Sequence, residues 1–193
     1  MTRTRFFFAC LLAACLGIAA CSKQDSSSAA SGPKRSASME IVAAEARGFT
    51  VGAMMSANAV YVFFDPQCSH CARLWEASIP LQNKLRFVWI PVSLLNASSA
   101  SQGAALLSAS DPARSMAEHE KSLLAGQGGI SAPASVAPEV EQAIKANTRL
   151  FNNLGIEGVP FVVAKNARTG QTVTRGGSMD TATLAGLLGV AVP

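Results

Sequence analysis

Val60-Tyr61-Val62-Phe63-Phe64 is an unbroken apolar run, rich in β-branched and aromatic side chains and of strand length. It predicts a buried strand over 59–64, ended by Asp65-Pro66. A second apolar run predicts a strand over 85–92. Between the two, residues 68–81 have helical composition, with Pro80 placed to kink or end the helix. Strand, helix and strand in that order predict a β-α-β unit and hence a parallel pair. Residues 97–109, 112–125 and 138–154 also read as helices. Asp111-Pro112 and Pro138-Glu139 look like helix starts, and Gly126 and Gly155 like stops. The intervening 126–137 is a Gly/Ala/Ser/Pro loop. Residues 161–164 and 171–174 predict an antiparallel hairpin turning at 166–170. A last helix spans 180–189 with Asp180 as its N-cap, and 39–47 has the pattern of a short first helix.

The polar pattern divides the chain ahead of these elements. Arg3 and Arg5 precede an apolar stretch over 6–20 that is shorter than a membrane span requires. Ile18-Ala19-Ala20-Cys21 resembles a bacterial lipobox, in which the cysteine is lipidated and becomes the first mature residue. Leu12-Ala13-Ala14-Cys15 is a weaker match, because apolar residues continue beyond it. The organisation expected is a lipoprotein signal peptide over 1–20, a Ser/Ala/Gly/Lys-rich tether over 21–38 and one globular domain over 39–193. Some 150 residues suit a single domain with a proper core. Ser22 after the cysteine resembles an outer-membrane sorting signal. No internal repeat is visible.

Composition and charge then narrow the chemistry. The formal charge of +4 falls to +2 once Arg3 and Arg5 are removed. No clustered Lys/Arg stripe is present, so the charge gives no case for nucleic acid as a partner. Of five cysteines, Cys10 and Cys15 leave with the signal peptide and Cys21 carries lipid. The mature chain keeps two thiols, Cys68 and Cys71. A C-x-x-C pair where a strand gives way to a helix is the thiol–disulfide exchange arrangement. Cys68 at the helix N-terminus would have its thiolate favoured by unpaired N–H groups and the macrodipole. Cys71, one turn on, would lie beneath it, and His70 could donate to the thiolate or favour it electrostatically. A structural disulfide is the alternative reading, but so short a loop gains little unfolded-state entropy. A zinc site needs four ligands, with only His70 and His119 to add. Haem attachment is excluded because Ala72 follows Cys71. His119 reads as a solvated helix residue, Trp75, Trp89, Phe63, Phe64, Phe87 and Phe161 as core, and Asp65 equally as a proton shuttle or a turn residue.

The element order matches the thioredoxin plan, an α/β fold, with a helical insertion at about 96–154. Phe64-Asp65-Pro66-Gln67-Cys68-Ser69-His70-Cys71, the strand Val88-Trp89-Ile90-Pro91-Val92, the segment Ala109-Ser110-Asp111-Pro112-Ala113-Arg114 and the turn Gly158-Val159-Pro160 resemble the catalytic domain of the periplasmic Dsb thiol:disulfide interchange proteins. The DsbC/DsbG branch fits best, over most of 57–190. Val159 stands where that branch typically has Thr, and Ser69-His70 combines a DsbA-like histidine with serine in place of proline. The resemblance implies a cis Pro160 with Val159 presenting its backbone to a substrate strand beside Cys68. It further implies protein substrates with cysteine thiols or disulfides, a membrane redox partner of the DsbD or DsbB type, and no cofactor. Residues 22–56 are too short for that branch's dimerisation domain, so a monomer is expected. The alternatives are a thioredoxin-like chaperone or assembly-factor binding module and a thiol reductase of cytochrome c maturation, whose relatives usually carry Trp where Gln67 stands.

Overall fold

The computed structural model describes residues 36–132 and 135–192. The expected signal peptide and nearly all of the tether, Cys21 included, lie outside these residues. A five-stranded sheet forms the centre, in the order β1-β3-β2-β4-β5. Its strands are β1 (Phe49–Gly52), β2 (Ala59–Phe64), β3 (Arg86–Pro91), β4 (Phe161–Lys165) and β5 (Thr172–Gly176). β2 and β3 are parallel, in register from Ala59 opposite Arg86 to Phe64 opposite Pro91. The other three pairings are antiparallel.

The helices cover both faces. α2 (Ser69–Ser78), α4 (Pro112–Leu124) and α6 (Thr181–Leu188) contribute Leu74, Trp75, Met116, Leu184 and Leu188 to a core over one face. That core takes Val60, Val62 and Phe64 from β2 and Phe87 and Trp89 from β3. The alternate residues Phe63, Ile90 and Val163 face the other way. There they meet Val42 of α1 (Met39–Glu45) and Leu150 and Phe151 of α5 (Pro138–Asn153). A strand buried on both faces needs no polar alternation, which is why β2 reads as a continuous apolar run. Trp89 is fully buried and takes edge-on contacts from Trp75 (5.3 Å between centroids) and Phe64 (5.6 Å). Such pairs contribute about 0.5–1.5 kcal/mol each beyond area burial.

The predicted elements form close to where expected, with one refinement and one added strand. The helix after Cys68 passes at Pro80 into a 3-10 turn, Ile79–Leu81. α3 (Ala97–Leu107), α4 and α5 all fall between β3 and β4. The strand the pattern did not disclose is β1. Four residues carry too little alternation to register, and β1 is fixed by its partner: Phe49 pairs with Trp89 and Val51 with Phe87. Caps match the sequence signals. Asp111 and Asp180 accept from the backbone of Arg114 and Thr183, and Gly189 ends α6 at φ 71°, a left-handed conformation suited to glycine.

One buried amide ties the second core to the sheet. Asn147 Oδ1 accepts from Arg47 N at 2.9 Å, while its Nδ2 donates to Arg47 O at 2.7 Å and Pro91 O at 3.0 Å. Asn147 is fully buried. Replacing it by leucine strands three backbone groups, at about 1–3 kcal/mol for each left unpaired. Asn147→Leu should therefore lower stability by roughly 3 kcal/mol or more, read as a fall in denaturation midpoint with an unchanged m-value.

Candidate active site

The site grows from the end of β2. Asp65 is fully buried, and its carboxylate accepts four hydrogen bonds. Oδ1 takes Gln67 N at 2.8 Å and Ser99 Oγ at 2.7 Å; Oδ2 takes Leu94 N at 2.7 Å and Leu95 N at 3.0 Å. The bond to Gln67 N closes the turn that delivers Cys68, whose own N–H donates to Asp65 O at 3.0 Å. Of the two readings left open for Asp65, the structure supplies the turn residue, one that also ties down the loop after β3.

Cys68 is the N-cap of α2. Its Sγ accepts from Cys71 N at 3.3 Å and lies 3.7 Å from Val159 O. Both cysteines are free thiols; Cys68 is 7% exposed and Cys71 not at all. The Cys68 pKa is lowered to about 7, first by the hydrogen bond from the Cys71 side chain and then by the N–H groups of Cys71 and His70, against the opposing pull of burial and of the Asp65 charge. Cys71 is pushed well above its ordinary value by burial, then by Cys68 and by the charge of Glu120. The pair is therefore asymmetric: an acidic thiol with a narrow opening to solvent lies over a fully buried one that holds its proton.

The imidazole of His70 does not make the expected contact with Cys68. Its Nδ1 lies 3.2 Å from Ser178 Oγ, and the His70 group that favours the thiolate is its backbone N–H. Helical geometry explains the correction. The first-turn N–H groups point along the axis at the N-cap, while a side chain at the second helical position swings outward.

Val159-Pro160 precedes β4 with a cis peptide bond. A groove of about 550 Å³ is lined by this loop and Cys68 together with Leu94, Leu95 and Phe151. Leu94 and Leu95 are 39% and 54% exposed. Their amides are tied to Asp65, so the backbone holds both leucines at the groove.

His119 overturns its reading as a solvated residue. It is fully buried. Nδ1 accepts from Ile130 N at 3.1 Å, which puts the ring proton on Nε2, donating to Pro66 O at 2.6 Å. Burial lowers its pKa, opposed by the Pro66 bond and the Asp65 charge. The ring clamps the 126–132 loop to the residue two before Cys68. Gly129 lies so close, at φ 87°, that any Cβ there would strike the imidazole. Gln102 reinforces the clamp, donating to Gly128 O and Ile130 O at 2.8 and 2.9 Å. Glu120, the next residue, was not singled out in the sequence. It is 1% exposed, and burial, followed by the charges of Cys68 and Glu76, raises its pKa to about 9. The available signal was spacing, since Glu120 lies four residues after the core residue Met116 and on the same helical face. Among the described residues no group of three or more His, Cys, Asp or Glu side chains could hold a metal ion.

Fold and site together define a thioredoxin-like domain with a C-x-x-C pair of free thiols at a helix start. In sequence the chain is similar to the thiol:disulfide interchange protein DsbG of Pseudomonas aeruginosa, 29% identical over 133 residues that cover 67% of this chain and 50% of that protein. It is 30% identical to DsbG of Escherichia coli over 105 residues, 53% of this chain and 42% of that protein. The chain thus spans about half the length of the curated relatives it matches, and no family model matches it. In structure it resembles the catalytic domain of Proteus mirabilis ScsC, with a TM-score of 0.59 and 19% identity over 79% of this chain and 97% of that one. A periplasmic thioredoxin-like protein of Salmonella enterica serovar Typhimurium aligns with a TM-score of 0.61 and 18% identity, over 80% and 97% of the two chains. These structural likenesses carry the fold.

The electrostatics of Cys68 lead to a specific expectation. The rate of its alkylation by iodoacetamide should rise with pH about a midpoint near 7, with Cys71 unreactive over that range. His70→Ala keeps the N–H and should leave the midpoint in place. His70→Pro removes the N–H and should raise it.

Proposed function

We propose that this protein is an envelope thiol–disulfide oxidoreductase that exchanges disulfides with protein cysteines. The observation that carries the reading is the asymmetric thiol pair, with Cys68 acidic, capping α2 and opening on a groove, and Cys71 buried one turn below. Cys68 attacks a client disulfide as thiolate, forms a mixed disulfide and expels the first client thiolate. Cys71 then attacks Cys68 Sγ, closes the internal disulfide and releases the second client thiol. Run backwards, the same steps oxidise a client dithiol. Val159 and Pro160 form the substrate-binding edge, since Val159 O lies within reach of the Cys68 sulfur and of any strand beside it. His70 assists through its N–H and its place at the rim. The chemistry is that of sulfur alone and calls on no cofactor or metal.

The wider setting follows the sequence signals. Residues 1–20 act as a lipoprotein signal peptide, Cys21 carries the lipid, and residues 21–38 tether the domain on the periplasmic side of the outer membrane. Electrons pass to or from a membrane redox partner of the DsbD or DsbB type. The domain works as a monomer.

Cys71→Ala should accumulate dithiothreitol-sensitive adducts with envelope proteins on non-reducing gels, and Cys68→Ala none, because Cys71 is too deeply buried to begin exchange. Adducts should sediment with membranes and become soluble when Cys21 is replaced and an ordinary signal supplied. No adducts from Cys71→Ala would turn the assignment toward a thioredoxin-like binding module.

A Cys68 pKa of about 7 is that of the thioredoxin nucleophile, so the thiolate stabilises the reduced state to the same extent and the disulfide should have a potential near the thioredoxin value of about −270 mV. Equilibration with glutathione measures this. A value above about −200 mV would refute it.

A further inference from the structure

Apart from Leu124 at the end of α4, the large apolar side chains exposed among the described residues gather at two places. Leu94 and Leu95 line the groove at Cys68, while Met54, Met55, Ile79 and Val192 lie at the opposite end of the domain. Strand register fixes that end. Gly52 and Ala59 both pair with Arg86, and Val60 pairs with Ala164, which puts Lys165 beside Ala59. This row of the sheet is the one furthest from Cys68, which follows Phe64 at the other end of β2. Hydrogen bonds knit the segments beyond the row. Ala53 N donates to Leu85 O at 3.0 Å, Ser56 Oγ to Lys84 O at 2.9 Å and Lys84 Nζ to Ala191 O at 3.0 Å. α2 arrives there at Ile79, about 15 Å along its axis from Cys68. Met55 is 97% exposed and Met54 58%. A single exposed apolar residue is ordinary; a group of them rimmed by charge has the composition of an interaction surface.

The charge at this end is positive. Lys84 and Arg168 are exposed and have no acidic partner within ion-pair distance among the described residues. Arg168 belongs to the turn after β4, which Ala167 N fastens to Leu188 O at 2.8 Å. Glu40, an acid at this end, is committed to Lys165 at 3.6 Å. Glu76 and Asp180 lie off it, in a groove on the α2–α6 flank with Arg73. Glu40 also stands in the first turn of α1, so the chain enters the domain here. Just ahead of residue 36 the sequence adds two more cations, Lys34 and Arg35.

We propose that this end of the domain docks on the anionic lipid head groups of the membrane to which the chain is tethered, with Cys68 turned away from the bilayer. The inference rests on the lipidation of Cys21 put forward above and goes beyond it by giving the domain an orientation. The methionines enter the boundary between head groups and acyl chains, Lys84 and Arg168 meet phosphates, and Lys34 and Arg35 add to the attraction where the tether arrives. Each contact is weak alone. A short tether supplies an effective concentration on the order of millimolar, at which weak contacts suffice. A second copy of the chain is a poorer occupant, because it would set the Lys84 and Arg168 of two domains against one another. The orientation serves thiol exchange: the groove beside Cys68 faces the periplasm, from which clients arrive.

The test reads methionine oxidation by hydrogen peroxide, resolved by peptide mass spectrometry, in the lipidated full-length protein on vesicles of phosphatidylethanolamine and phosphatidylglycerol. Met54 and Met55 should oxidise on the order of fivefold more slowly than in the soluble Cys21→Ser protein exported by an ordinary signal. Met179, on the flank, and the alkylation of Cys68 should be the same in both. Protection should weaken at about 0.5 M salt, which screens the head-group charge. It should weaken likewise in Lys84→Glu and Arg168→Glu, whose reduction of glutathione disulfide should match wild type. Met55→Ser, at a side chain almost wholly in solvent, should reduce the protection of Met54. Equal oxidation of the vesicle-bound and soluble proteins would overturn the docking and leave the anchor standing, since the protein would still float with the vesicles. Protection of the soluble protein that grows with its concentration would assign this end to a second copy and overturn the docking too. A full-length protein that carries no lipid would remove the anchor, and the inference with it.

Discussion

The buried carboxylate of Asp65 is the constraint on which the site depends. One side chain holds the turn out of β2, the loop after β3 and the first turn of α3, through donors contributed by Gln67, Leu94, Leu95 and Ser99. A carboxylate out of water is tolerable only when its lone pairs are filled, and four donors fill them. The consequence is local rigidity where the chemistry requires it. Cys68 is delivered onto the end of α2, and two leucines are held against the groove although water would favour hiding them. His119 secures the same turn from the opposite side by donating to Pro66 O. The helices between β3 and β4 therefore brace the segment that enters the C-x-x-C pair.

Charge in the site is arranged as a gradient of burial. Cys68 has a small window to solvent and N–H groups aimed at its sulfur, so its thiolate is favoured. Cys71 and Glu120 lie in the core, where the charged form has neither water nor a cation. Each of the three titrates under the influence of the others, and the pair of thiols is best regarded as part of a coupled set. The direction of each shift follows from the balance between N–H groups and lost water, with Cys68 the one group on which N–H groups prevail.

Much of the fold was legible because its elements carry local signals strong enough to stand alone. β2 is apolar on both faces, α4 and α5 begin at proline, and Gly126 and Gly155 follow their ends. β1 had no such signal. Phe49 and Val51 are two apolar positions in a four-residue segment, and only Trp89 and Phe87 across the ladder make them a strand. The site divides similarly. Cys68 and Cys71 were legible because spacing along one helix turn fixes their geometry. His119 and Glu120 were misread or passed over because polar identity outweighed spacing. They lie on the face of α4 that turns inward, and only the packing of α4 against α2 reveals it.

The sequence by itself determined the order of the elements, the thiol pair at a helix start and the loop proline after Val159, since each depends on residues within a few positions of one another, and the parallel β2–β3 pair followed from the β-α-β order. Tertiary structure decided what depends on distant residues meeting. It seated Val159 O beside the Cys68 sulfur across 91 positions of chain. It sent the His70 ring to Ser178 and left its N–H for the thiolate. It filled Asp65 with donors from three segments and left Glu120 with none among the described residues. Hydrophobic periodicity specifies which faces turn inward in general; the partner of a buried polar group is specified only where those faces meet, because hydrogen bonds and desolvation act over a few ångströms of space.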